Sequence, residues 1–355
     1  MDLPTIYFHI SDGCNQNCKH CWYMREGESG LNKAKFLAFE SFVNIFEQAS
    51  TLGLKNVKLT GGEPLIHPEI DKYLDYLKDK NKFLIIETNG IACADNELVN
   101  KIALCKPGLI AVSLDGTSAE VHENIRGMKG TFDKTIKGIK NLVNASLKPQ
   151  LIMSISEDNK HQIEEMVRFA EDLSVASLKF NVVVPIERGK KLADNDKLIN
   201  IQELIEISDF IENDLARRAN IHVIFTQPFA FRPFSRIIEQ GQDDGCGIFE
   251  TLGVLADGKY ALCGIGKLMP ELVFGDANKD SLADVWNNNE ILNDIRQNLP
   301  AKLEGVCANC MMKKACLGSC VALNYYRTRN LYAPYWYCEE AFEASLFPES
   351  RLVNK

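Results

Sequence analysis

The sequence predicts an α/β fold: a parallel sheet of six β–α units, followed by a small, cysteine-rich second domain. Three observations predict it. From residue 6 to about 218, short β-rich runs alternate with longer segments of helical period. From Cys246 onward the alternation stops and a Cys- and Gly-rich stretch takes over. Between the two, Gln227–Asp244 carries Pro228, Pro233, Gly241 and two adjacent aspartates, the composition of a linker.

Each element has its own signal. Strands are expected at Ile6–Ser11, Asn56–Thr60, Leu84–Thr88, Leu109–Leu114, Gln150–Ile155 and Ser177–Val184, with Ile221–Thr226 as a further candidate. Phe39, Phe42, Val43 and Phe46 fall at i, i+3, i+4, i+7, one face of a helix that Gly53 would end. Ile70, Tyr73, Leu74 and Leu77 repeat the pattern. So do Ile163, Met166, Val167 and Ala170, then Ile201, Leu204, Ile205 and Ser208. Six such alternations argue for right-handed crossovers, which leave the loops after the strand C-termini to carry the chemistry. Beyond the linker, Val254–Asp257–Gly258–Cys263 reads as a hairpin.

The chain has 355 residues and a net charge of −8, with 46% hydrophobic residues and 25% charged. That balance supplies a core and argues against nucleic acid or an anionic membrane as partner. No apolar run approaches the roughly 20 residues that span a bilayer. The first residues, MDLPTIYFHISDG, lack the basic and apolar regions of a signal peptide, so a cytoplasmic protein is expected. Of 12 cysteines, three lie within Cys14–Cys21, seven between Cys246 and Cys338, and only Cys93 and Cys105 occupy the middle. In a leaderless chain of this length, metal binding explains them better than disulfides.

Directly after the first strand comes Cys14-x3-Cys18-x2-Cys21. Three thiolates at i, i+4, i+7 wrap one cluster from a short loop and leave one iron of a 4Fe–4S cubane open to a small molecule. Zinc is the alternative, with His20 as a fourth ligand. The motif and its position resemble the radical S-adenosylmethionine (SAM) superfamily. That resemblance implies a partial (β/α)6 barrel, SAM chelated through its amino and carboxylate groups, and reductive cleavage to a 5′-deoxyadenosyl radical. His20 stands where the family usually has an aromatic residue. Gly61-Gly62-Glu63-Pro64 resembles the loop that holds the SAM amino group. Thr88-Asn89-Gly90, Ser113-Leu114-Asp115-Gly116 and Arg126 follow at later strand ends, in the family's order. The implied SAM contacts are Gly61, Gly62, Glu63, Asn89, Ser113, Asp115 and Arg126.

Cys246, Cys263, Cys307, Cys310, Cys316, Cys320 and Cys338 resemble the SPASM extension of radical SAM peptide-modifying enzymes. The extension implies two auxiliary 4Fe–4S clusters, an inner one on Cys246, Cys263 and Cys320 and an outer one on Cys307, Cys310, Cys316 and Cys338. The implied division is residues 1–226 for the barrel, 227–245 for a linker, 246–340 for the auxiliary domain and 341–355 for a tail. Cys93, three residues past Gly90, is a candidate hydrogen-atom donor against the plainer reading of a buried small hydrophobe. Cys105, near the end of a predicted helix, reads as a plain residue, and His67 and His122, near the second and fourth strand ends, read as ordinary loop residues.

The resemblance implies a ribosomally made peptide or protein as substrate, modified by a cross-link, a thioether or epimerisation. With the first strand starting at residue 6, a separate leader-binding protein is the expected partner, together with an electron donor such as flavodoxin or ferredoxin. Two alternatives remain at this point. One is a sulfatase-maturing enzyme, in which an aspartate follows the second auxiliary cysteine; here that position is Gly264. The other is a non-catalytic iron–sulfur electron carrier.

Overall fold

The computed structural model describes residues 1–24, 31, 34–240 and 247–353. Seven strands run parallel in chain order: β1 (Thr5–Ser11), β2 (Asn56–Gly61), β3 (Phe83–Thr88), β4 (Leu109–Ser113), β5 (Gln150–Ile155), β6 (Ser177–Val182) and β7 (His222–Phe225). Sequential parallel order with right-handed crossovers puts every helix on one face and curls the sheet. The six expected strands are present, and β7 is the seventh candidate. β6 ends two residues early, before Pro185, which has no N–H to continue a ladder.

Helices α1 (Phe39–Thr51), α2 (Ile70–Leu77), α3 (Asn96–Leu104), α4 (Ala119–Arg126), α5 (Phe132–Asn144) and α6 (Ile163–Asp172) connect these strands, and the periodicity marks α1, α2 and α6 among them. Their buried faces carry the expected residues, Ile70, Tyr73, Leu74 and Leu77 on α2 and Ile163, Met166, Val167 and Ala170 on α6. Outward strand residues meet them. The Phe8 ring lies 4.7 Å from that of Phe42, which lies 4.5 Å from that of Tyr73, tying β1, α1 and α2 into one core.

The cysteine-rich segment extends the same sheet. β8 (Thr251–Val254) pairs parallel with β1, placing Tyr7 opposite Gly253. β9 (Lys259–Ala261) returns antiparallel as the expected hairpin, and β10 (Val273–Asp276) completes the order β10-β9-β8-β1-β2-β3-β4-β5-β6-β7. The edge of β1 would otherwise present unpaired N–H and C=O groups, and β8 satisfies them. The stretch expected as a linker is structured where it is described. Phe229–Phe231 forms a 3-10 turn and Phe234–Gln240 a helix. Arg232 is buried there, and its carbonyl accepts a bond from Arg351 Nη2 at 2.8 Å. A C-terminal segment far away in sequence covers this backbone, so local composition misses the order it acquires.

Candidate functional site

The loop holding Cys14, Cys18 and Cys21 leaves the C-terminal end of β1 and lies on the last turn of α4. Asn17 N–H donates to the Arg126 carbonyl at 3.0 Å and Lys19 N–H to that of Ile125 at 2.9 Å, satisfying carbonyls that a helix end leaves orphaned. Gly127 ends α4 at φ +66, and a Cβ there would stand 2.3 Å from the Asn17 carbonyl oxygen. Only glycine combines that φ with so close an approach.

Cys18 is buried, and Cys14 and Cys21 are half-buried. Arg126 Nη1 donates to Cys18 Sγ at 3.7 Å, and Asn89 Nδ2 lies 4.0 Å from Cys14 Sγ. Three thiols in one loop, two of them facing N–H donors, suit an anionic iron–sulfur cluster, whose sulfurs attract such donors. Burial pushes the bare Cys14 thiol up to about 12 and that of Cys18 to about 11, so cluster binding displaces protons from them.

The Gly61–Pro64 loop packs directly on the cysteine loop. Gly62 N–H donates to the Ser11 carbonyl at 2.7 Å and Glu63 N–H to that of Gly13 at 2.8 Å. A Cβ on Gly62 would lie 2.1 Å from the Gly13 oxygen. The Glu63 carboxylate is fully engaged. Oε1 accepts from Thr88 Oγ1 at 2.7 Å and from Leu65 N–H at 3.1 Å, and Oε2 accepts from Asn89 N–H at 2.7 Å. Burial nevertheless pushes this carboxyl up to about 7. Glu63 therefore fixes the end of β3, which places Asn89 against Asn15 (2.7 Å) and Cys14.

Asp115 and Arg126 meet each other. Arg126 Nε stands 2.7 Å from Asp115 Oδ2, a charge contact whose N–H is not aligned on the oxygen. His20 Nε2 lies 3.7 Å from the same oxygen, and Asp115 Oδ1 accepts from Ser154 N–H at 2.8 Å. Burial works against the Asp115 charge, but Arg126 and His20 overcome it and hold the carboxyl below its ordinary range. The expected place of His122 is a loop. It lies on α4, fully buried, with Nδ1 accepting from Asp115 N–H at 3.3 Å. His67 is likewise buried, its Nε2 2.9 Å from the Leu37 carbonyl. Nothing in the spacing of either histidine marks these long-range partners. Ser113 stands half-buried at the end of β4.

Cys93 is 0% exposed and packs against α5, where a Cβ on Gly138 would lie 3.0 Å from the Cys93 Cβ. This placement fits a small buried hydrophobe, and the hydrogen-donor role gains no support from it. Cys105 is buried too, its thiol donating to the Leu74 carbonyl at 3.3 Å.

Farther along the chain, Cys307, Cys310, Cys316 and Cys338 line one cleft. Four thiols around a single cleft suit a closed cluster site. The C-terminal segment straps it: Met311 N–H donates to the Arg351 carbonyl at 2.8 Å, and Leu352 bridges Cys310. Cys263 and Cys320 form a second pair, in which burial and the charge of Cys320 both push the Cys263 thiol up. Cys246 lies outside the described residues.

Comparison with known proteins agrees with this geometry. A model of the radical SAM superfamily matches residues 8–170, and one of an iron–sulfur cluster-binding domain, SPASM, matches residues 246–311. An AdoMet-dependent heme synthase of Methanosarcina barkeri is 27% identical over 94% of this chain and 95% of its own length. The mycofactocin maturase MftC of Mycolicibacterium smegmatis is 24% identical over 100% of this chain and 88% of its own. Among solved structures, Streptococcus suis SuiB bound to precursor peptide SuiA superposes with a TM-score of 0.73 at 19% identity, covering 96% of this chain and 76% of SuiB. No described helix is long and apolar enough to cross a membrane.

Proposed function

The chain belongs to the radical SAM superfamily and carries a SPASM iron–sulfur domain, and on that premise we propose that it modifies a ribosomally made peptide or protein. The products in view are a cross-link, a thioether or an epimerised residue. The observation that carries the reading is the Cys14–Cys21 loop seated between Asn89, Arg126 and the Gly61–Glu63 turn at the C-terminal edge of the parallel sheet. Cys14, Cys18 and Cys21 would hold a 4Fe–4S cluster there, which would supply the chemistry of one-electron reduction of SAM.

This chain's own residues do the rest. Cys14, Cys18 and Cys21 hold the cluster. The Gly61–Gly62 backbone, Asn89 and Ser113 would hold SAM. Glu63, Asp115 and Arg126 act through the bonds already described, Glu63 by setting Asn89 and the Asp115–Arg126 pair by anchoring the loop of Cys18. Cys307, Cys310, Cys316 and Cys338 hold an outer auxiliary cluster, and Cys263 with Cys320 and Cys246 an inner one. A flavodoxin- or ferredoxin-type donor delivers the electron, and a separate leader-binding protein presents the peptide.

Gly264 weighs against a sulfatase-maturing role. A Cβ there would lie 2.4 Å from His9 Cε1, which leaves no room for the aspartate such enzymes resemble at this position. A second reading, chemistry on a tetrapyrrole, is favoured by one observation: the heme synthase relative aligns over nearly the whole of both chains.

The test is anaerobic reconstitution with iron and sulfide, then dithionite and SAM. Formation of 5′-deoxyadenosine is expected, and its absence refutes the enzyme reading. Incubation in D2O with short peptides encoded beside the gene, read by mass spectrometry, is expected to show loss of two hydrogens or, for an epimer, uptake of one deuterium. Turnover of an iron porphyrin with no peptide modified would replace the peptide by a tetrapyrrole.

A further inference from the structure

Gln16 is the middle residue of the three that separate Cys14 from Cys18, and its neighbours fix the loop on either side of it. Asn15 Oδ1 accepts from Asn89 Nδ2 at 2.7 Å, which ties the loop to the end of β3. Asn17 N–H donates to the Arg126 carbonyl at 3.0 Å, which ties it to the last turn of α4. Between these two ties the Gln16 side chain turns inward and is only 3% exposed.

Its amide lies against a cluster ligand. The Cys18 thiol donates to Gln16 Oε1 at 3.8 Å, and Gln16 Nε2 is buried with no hydrogen-bond partner among the described residues. Buried side-chain amides are ordinarily satisfied, so an orphaned NH2 group beside three cysteines points to an acceptor that comes with the cluster. Once Cys18 ligates iron, its sulfur carries no proton and can only accept. The thiol-to-carbonyl bond is then lost. A half-turn of the amide about its last torsion, which is roughly two-fold, puts Nε2 in the place of Oε1 and within reach of an N–H···S bond. On the far side the turn exchanges one unpartnered atom for another, so it gives up no bond there.

Cys18 is where such a bond counts most. It is buried, whereas Cys14 and Cys21 are half-buried, so water serves its sulfur least. Arg126 Nη1 donates to the same sulfur at 3.7 Å, and the Gln16 amide makes a second donor on it. Hydrogen bonds to the sulfurs of a cluster set its reduction potential, because they favour the state with more negative charge on those sulfurs.

We propose that Gln16 is a positioning residue that donates an N–H···S bond from its side-chain amide to the Cys18 sulfur of the loaded protein and so raises the reduction potential of the SAM cluster. The inference rests on the cluster site of the function proposed above, and it is independent of whether the substrate is a peptide or a tetrapyrrole.

The experiment is a redox titration of the anaerobically reconstituted full chain, followed by electron paramagnetic resonance. The SAM cluster is told apart from the auxiliary clusters by the change in its signal when SAM is added. Gln16→Met keeps the length of the side chain and removes the NH2 group. It is expected to lower the reduced-to-oxidised ratio at a fixed potential about tenfold, equal to about 59 mV for one electron, with iron and sulfide at the wild-type level. Gln202→Met, exposed on the helix Ile201–Phe210, should leave the ratio unchanged. A second measurement needs no variant to fold. Wild-type protein carrying 15N in its glutamine side chains, with unlabelled SAM, is expected to show 15N hyperfine coupling to the reduced SAM cluster. Gln16 is the sole glutamine between Cys14 and Cys21.

An unchanged or raised ratio in Gln16→Met at full iron content overturns the proposal, as does a wild type without the 15N coupling. If Gln16→Met loses its iron, the wild-type coupling decides: present, it upholds the bond; absent, Gln16 only packs the loop and the proposal falls. Formation of 5′-deoxyadenosine is recorded on the same samples. A wild type that forms none refutes the enzyme reading, whereas one that forms it with a potential insensitive to Gln16 refutes the role of Gln16 alone.

Discussion

Arg126→Met is the perturbation that most sharply tests how the cysteine loop is held. Asp115 is 0% exposed, and Arg126 Nε lies 2.7 Å from its Oδ2. Methionine keeps much of the volume but leaves the carboxylate with one neutral donor, Ser154 N–H at 2.8 Å, and with His20 at 3.7 Å. Removing one partner of a buried ion pair costs about 3–5 kcal/mol, because the remaining charge is stranded in a poorly solvated place. Arg126 also loses its contact with Cys18 Sγ, which adds to the loss only in the cluster-loaded protein. The assay is urea unfolding of the cluster-free chain for Arg126→Met, Asp115→Asn and the double variant. The double variant should be less destabilised than Arg126→Met alone, since no buried charge is then left unpaired. If Arg126→Met unfolds at the wild-type midpoint, or the double variant is simply the sum of the singles, the pair does not anchor the loop as described.

Two further outcomes follow from the same geometry. Cys18→Ala should abolish formation of 5′-deoxyadenosine. Cys310→Ala should lower iron content and stability while sparing part of that activity, because it lies in the separate cleft with Cys307, Cys316 and Cys338; equal, complete loss in both would refute the division. Burial raises the Glu63 carboxyl from 4.5 to about 7, so between these values the folded chain keeps a proton that the unfolded chain has released. Its contribution, about 3 kcal/mol by that shift, is complete below about pH 4.5 and fades as the pH rises through 7. Glu63→Gln should flatten this part of the stability profile of the cluster-free chain, and an unchanged slope would show that Glu63 is not its source.

Much was legible without the fold. Alternation of two periods located six strands and the buried faces of α2 and α6, since a residue's side of a strand or helix depends on local geometry alone. The spacing of Cys14, Cys18 and Cys21 marked one site and the later cysteines another, because ligands for one cluster must come from loops short enough to wrap it. The order of the strand-end motifs placed Glu63, Asn89, Asp115 and Arg126 on one rim.

What that rim does with them belongs to the tertiary structure. Arg126 turns to Asp115 and Cys18, the latter 108 residues away in sequence, and Glu63 spends its carboxylate on the end of β3. Lys58 and Glu87 read as unremarkable charges on separate strands, and only the pairing of β2 with β3 brings them within 2.5 Å. β8 adds itself to the free edge of β1, so the cysteine-rich segment shares the barrel's sheet. The physical reason is the same in each case. Periodicity states which side a residue faces, whereas its partner there depends on register, curvature and the burial of groups brought together from distant parts of the chain.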